Sequence, residues 1–95
     1  MDPGSAEFSR HAREKMRARH VDGSAVIGAI RDAESLFEDV ESGALVAVRR
    51  LADRFLVVVF VPTDKGVRVV TVYHASEVNK LLRRKMGRGA WKRKG

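Results

Sequence analysis

Phe55-Leu56-Val57-Val58-Val59-Phe60-Val61 is the stretch that decides the fold. It is a run of seven apolar residues, and six of them are β-branched or aromatic. That composition suits a strand better than a helix. Asp53-Arg54 precedes it, and Pro62-Thr63-Asp64-Lys65-Gly66 follows as a turn. An all-apolar strand needs cover on both faces, so this one belongs in the middle of a sheet.

Working outward, Ala44 to Leu51 reads as the preceding strand, joined through the turn Leu51-Ala52-Asp53-Arg54. Val67 to His74 reads as the following one. Short turns favour antiparallel neighbours. Two-residue alternation puts Arg68, Val70, Val72 and His74 on one face of the last strand. Val67, Val69, Thr71 and Tyr73 take the other. Leu36 to Val40 is a shorter strand before the turn Glu41-Ser42-Gly43. Two helices precede the strands. Ser9 caps the first, residues 9–19, whose apolar stripe is Phe8, Ala12 and Met16. Asp22 caps the second, with Val21 and Val26 as a hydrophobic staple. Gly28 inside it either weakens the helix or admits a close neighbour. Ser76 caps a third helix, Glu77 to Lys85, with Val78, Leu81 and Leu82 inward. The expected fold is α+β: two N-terminal helices packed on a four-stranded antiparallel meander sheet, then a short C-terminal helix and a basic flexible tail.

The 95 residues make one domain. Residues 1–8 read as an expression scar, because Gly-Ser and Glu-Phe are what common restriction sites encode. Residues 9–85 form the domain, and 86–95 the tail. There is no cysteine, hence no disulfide or thiolate site. No run approaches the ~18 apolar residues of a membrane span, and no signal peptide is visible, so the expectation is a cytoplasmic protein without membrane contact. The net charge of +7 is uneven along the chain. Before residue 80, eleven basic residues face twelve acidic ones; from Lys80 onward there are eight basic residues and no acid. Such a terminus suits a polyanion, most often nucleic acid. Trp91, set among Arg88, Lys92, Arg93 and Lys94, either stacks on a base or is a disordered aromatic.

Catalytic motifs are mostly absent. The chain has no Gly-rich phosphate loop, no HExxH and no CxxC, and its three His are spread too widely to suggest a metal site. No metal and no cofactor is expected. What remains is a group of cations and titratable residues around the central strand. In an antiparallel meander, Arg49, Arg50, Arg54, Tyr73 and His74 all fall at one end of the sheet, with Arg68 nearer the other. Arginines beside a Tyr and a His make a phosphate site with a proton donor. Taken singly, these are ordinary strand residues; their clustering is the signal. His11, Lys15 and Arg19 form a polar stripe along the first helix.

Ser9-Arg10-His11-Ala12-Arg13-Glu14-Lys15-Met16-Arg17-Ala18-Arg19 is similar to a T/S-x-H-A-x-x-R-M-x-x-R helix. With Val21 to Val26, Phe55 to Val61 and Val69 to Tyr73, the chain resembles the RelE/ParE-type toxin superfamily over residues 9 to about 85. It is closest to a branch that begins with that helix. Lys15 stands where Arg is usual, the usual first strand is missing or reduced to the scar region, and the tail is longer and more basic. The resemblance implies a compact sheet that binds RNA in the ribosomal decoding site. It also implies metal-free cleavage by attack of the ribose 2′-OH. Arg54 and Arg50 would clamp phosphate, with Arg68 a weaker candidate, and Tyr73 and His74 would be the acid–base pair. His11 and Arg19 match the branch signature.

The leading expectation is therefore a toxin-like, metal-independent endoribonuclease that binds RNA, including ribosome-bound mRNA, and is held by a small acidic antitoxin. Arg54, Tyr73 and His74 are its catalytic candidates. Arg49, Arg50, Arg68, His11, Lys15, Arg19, Arg83, Arg84, Lys85 and Arg88 are the candidate RNA contacts. The alternative is a non-enzymatic nucleic-acid-binding module acting through its basic C-terminal tail. A DNA-gyrase-directed toxin is a third reading. The oligomeric state is open.

Overall fold

A computed structural model describes residues 5–76 and 78–94. Glu77 and the side chain of Val78, assigned above to the third helix, lie outside the described residues, as do Met1 to Gly4 and Gly95. The elements are β1 (Ser5–Phe8), α1 (Arg10–Arg19), α2 (Gly23–Arg31), β2 (Ser35–Asp39), β3 (Leu45–Leu51), β4 (Arg54–Pro62), β5 (Gly66–Ala75), α3 (Val78–Gly87) and β6 (Trp91–Arg93). One six-stranded sheet has the order β1-β5-β4-β3-β2-β6.

β4 is central, between β5 and β3. Leu56, Val57, Val58 and Phe60 have no solvent exposure, as an apolar strand covered on both faces requires. Its alternate residues feed two cores. Leu56, Val58 and Phe60 pack with Ala12 of α1 and with Val26, Ala29 and Ile30 of α2. Val57 packs on the opposite face with Phe37, Val46, Val48, Leu81 of α3 and Trp91. Each fully buried Val, Leu or Phe stabilises the fold by roughly 1.5–3 kcal/mol. The sheet is thus the middle of three layers.

The four-stranded antiparallel meander is corrected to a six-stranded mixed sheet in two respects. First, the sheet is mixed. β1 runs parallel to β5, in the register Ser5↔Gly66 to Phe8↔Val69. In the sequence these residues read as an expression scar, yet Ala6 and Phe8 pack under α1 and α2. Second, residues 86–95 are not simply a flexible tail. β6 pairs antiparallel with β2, Asp39↔Trp91 through Phe37↔Arg93. Trp91 is 5% exposed and stacks on Phe37 with ring centroids 5.7 Å apart. Lys85 caps its ring at 5.6 Å, Arg93 lies over Phe37 at 5.1 Å, and Lys94 pairs with Glu38 at 3.7 Å. Trp91 is a core residue, neither a free stacking platform nor disordered. α3, whose face the sequence leaves open, covers the sheet face opposite α1 and α2.

The alternation on β5 is also broken. Val59 pairs with Thr71 and Phe60 with Val69, so Val70 is an extra residue in a β-bulge. Val67, Val69 and Val72 face α1 and α2, while Tyr73 and Ala75 face α3. Ser9 is tied to this bulge. Its Oγ accepts from the Ala12 N–H at 3.0 Å as the α1 cap, and donates to the Val70 carbonyl at 2.9 Å. Ala12 is fully buried against the sheet, where a small residue lets α1 sit close. Asp22 caps α2 by accepting from the Ala25 N–H at 2.9 Å and from Ser24 Oγ at 2.8 Å. The Ala25 bond first, then the Ser24 bond, holds its carboxyl below the ordinary value.

Candidate functional site

The strand register assigns each candidate to a face, because paired residues on neighbouring strands point the same way. Arg49, Leu56 and His74 form one row across β3, β4 and β5. Leu56 belongs to the core under α1 and α2, so Arg49 and His74 start from that face. Arg54 pairs with Leu51 and starts there too. Arg50, Phe55 and Ala75 form a row on the α3 face, and Val48, Val57 and Tyr73 form the next. The expected five-residue cluster is thus two groups on opposite sides of the sheet.

Several of these cations have structural partners. Arg49 Nη1 donates to the Gly28 carbonyl at 3.0 Å and lies 3.5 Å from Asp32. It ties β3 to the C-terminal half of α2, where the helix dipole favours a cation. A Cβ at Gly28 would lie 3.1 Å from Nη1, so this glycine admits the guanidinium. Arg50 Nε donates to the Ala52 carbonyl at 3.3 Å, and its guanidinium lies 6.0 Å from the Phe55 ring centroid. Arg68 pairs with Glu7 of β1 at 3.6 Å, far from Tyr73 along β5. Arg54 is exposed at the start of β4. His11 and Arg19 are exposed and Lys15 half-buried on α1. Among the described residues no group of three or more His, Asp and Glu could hold a metal ion.

The site that survives is a cleft of about 400 Å³ between the end of β5 and α3, lined by Tyr73, His74, Ala75, Ser76, Lys80, Leu81 and Arg84. Leu81 anchors α3 in the core, and this orients Lys80 and Arg84 toward β5. Lys80 and Arg84 are one helical turn apart and share a face, where like charges repel. An anion between them relieves that repulsion. Burial pushes the Tyr73 hydroxyl above its ordinary value, against the opposing pull of Arg84. Tyr73 therefore stays protonated at neutral pH and offers an O–H to an acceptor. His74 borders the cleft, but its Cβ leaves the strand on the other face.

Arg84 was a sequence candidate and does line the site. Arg83 and Arg88 are exposed near it in sequence, and Lys85 is engaged with Trp91. Lys80 and Ser76 were missed. The signal was present: Leu81 facing inward fixes residues 80 and 84 on one flank of the helix.

The chain matches the family described as "Domain of unknown function (DUF4258)" over residues 8–74. It belongs to that family. The DUF4258 stretch runs from the last residue of β1 to His74, so it includes Tyr73 but not the α3 wall of the cleft. No curated protein and no solved structure matches the chain.

Proposed function

We propose that this protein is a toxin-like RNA-binding protein whose α3–β5 cleft takes the phosphate backbone of single-stranded RNA. The observation that carries this reading is the convergence of Lys80, Arg84 and a protonated Tyr73 on one open cleft. Two cations and a neutral O–H donor suit a phosphate, which accepts several charge-assisted bonds. The kinship to RelE/ParE-type toxins is part of the proposal, and β1 supports it by supplying the first strand that fold calls for. A cytoplasmic setting and an acidic antitoxin covering the cleft belong to the same proposal. Among the described residues, no helix is long and apolar enough to cross a membrane.

Binding is favoured over cleavage. Strand neighbours face opposite ways, so Tyr73 enters the cleft from the α3 face while His74 only borders it, which is a poor arrangement for an acid–base pair. The cleft offers a proton donor and cations, and His74, the one base among its described lining residues, leaves β5 on the other face. The tail-only alternative is weakened too, since β6 is built into the sheet.

The test is a salt titration of single-stranded RNA binding by fluorescence anisotropy. Replacing Lys80→Gln and Arg84→Gln together should weaken binding about tenfold per lost contact. It should also flatten the log–log salt slope by about 1.4, at ~0.7 per phosphate contact. Unchanged affinity and slope would remove the cleft from the account. RNA cleavage that depends on Tyr73 would restore the catalytic reading.

A further inference from the structure

We infer that α1 carries a second RNA contact on the sheet face opposite the cleft, so that one molecule holds two separate stretches of RNA. The inference rests on the RNA-binding reading above, but on different residues. α1 carries Arg10, Arg13, Lys15, Arg17 and Arg19 with a single acid, Glu14. Arg10 engages that acid at 3.4 Å. The other four cations make no ion pair among the described residues. Arg49, Arg68 and Lys94 each have a carboxylate within 3.5 to 3.7 Å, whereas Lys80, Arg83 and Arg84 of α3, like these α1 cations, make no ion pair among the described residues.

Helix stability explains only part of this arrangement: Arg17 and Arg19 lie in the last turn, where the dipole favours cations, but Arg10, Arg13 and Lys15 gain nothing from it. The first turn of α1 has no acid, and Arg10 lies in it, at the end where the dipole favours anions. Lys15–Arg19 and Arg13–Arg17 are like charges one turn apart, which oppose the helix. Core packing does not explain the rest, because Ala12 and Met16 supply the face toward the sheet. Those two residues, with the Ser9 cap and its bond to the Val70 carbonyl, fix the helix so that His11, Lys15 and Arg19 run as one row along its flank. The row advances about 6 Å per step, a spacing that follows the successive phosphates of an extended strand. A polyanion is the chemistry that complements it.

The two basic surfaces cannot merge into one groove. α1 covers the core that contains Leu56 and Val58, while α3 covers the one that contains Val57, and these residues alternate along β4. The sheet stands between them.

The experiment is a two-RNA capture. A biotinylated RNA of about six nucleotides, near the lower end of single-site lengths, is immobilised and loaded with protein. A second, labelled RNA of the same length is then added. The wild type should retain the second RNA. Lys15→Gln with Arg19→Gln, checked for an unchanged far-UV circular dichroism spectrum and Tm, should still bind the first RNA but lose about tenfold in capture of the second. Lys80→Gln with Arg84→Gln should lose capture as well, since either variant leaves one face. Capture that persists in both variants would mean two copies of the protein rather than two faces, and would overturn the inference. A wild type that binds one RNA and captures no second would overturn it while leaving the cleft reading intact. A wild type that binds no RNA would remove both.

Discussion

Replacing Trp91→Ala should cost about 4 kcal/mol. Trp91 is the one tryptophan, is 5% exposed, and stacks on Phe37 at 5.7 Å and 28°. Burying roughly 200 Å² of such a side chain at about 25 cal/mol per Å² gives up to about 5 kcal/mol. The aromatic pair adds about 0.5–1.5 kcal/mol, and partial collapse of the cavity recovers some of the loss. The backbone bonds of the segment remain available: Val40 N–H to the Ala90 carbonyl at 2.9 Å and Lys94 N–H to the Leu36 carbonyl at 2.8 Å. A domain of this size has roughly 5–15 kcal/mol in all, so the variant should be marginal. Urea unfolding followed by circular dichroism measures the change through the midpoint at constant slope. In the wild type, tryptophan fluorescence should shift to the red on unfolding. A loss below about 1 kcal/mol, or a native emission already like that of free tryptophan, would refute the packing of β6.

Further expectations follow from single contacts. Gly28→Ala should stabilise an Arg49→Ala background by about 0.8–1 kcal/mol through helix propensity. In the wild type it should stabilise less, because the new methyl crowds Arg49 Nη1; a double-mutant cycle with no coupling would deny that contact. Ala52 has φ 55°, a left-handed conformation that costs a non-glycine residue about 1–2 kcal/mol. Ala52→Gly should therefore raise stability by about 0.5–1 kcal/mol after its greater unfolded-state freedom is subtracted, and a lowered Tm would count against it. Tyr73 is the one tyrosine, so an ultraviolet titration reads it alone. Its midpoint should lie above 10, with the associated stability complete below that pH and lost as pH rises toward the folded value. A midpoint at or below 10 would contradict its burial.

The centre of the fold was legible because Phe55 to Val61 has only one sensible environment, and the caps at Ser9 and Asp22 because their side chains act locally. The edges were not. β1 has four residues and β6 three, too few for a periodic signal, and both are held by partners distant in sequence. Trp91 looked solvated because its neighbours in sequence are cations, yet Lys85 and Arg93 lie over the Trp91 and Phe37 rings and shield that stack. The bulge at Val70 is fixed by a hydroxyl 61 positions earlier, and nothing within β5 announces it. The site was half legible. Tyr73 and Arg84 were both candidates, but Tyr73 was grouped with His74, Arg54 and Arg49 by height along the sheet. Consecutive strand residues point to opposite faces at any register, and that alone separates Tyr73 from His74. Lys80 entered the reading only as part of the charge of the tail.

The most direct test of the central claim is to map backbone amide shifts by heteronuclear NMR while a short single-stranded RNA is added. The account predicts that the largest changes fall on Tyr73, Ser76 and α3 around Lys80 and Arg84, and, as the second contact fills, on α1 around Lys15 and Arg19, with Arg49 and Arg54 nearly unmoved. Dominant changes at Arg49 and Arg54, with α3 silent, would contradict it.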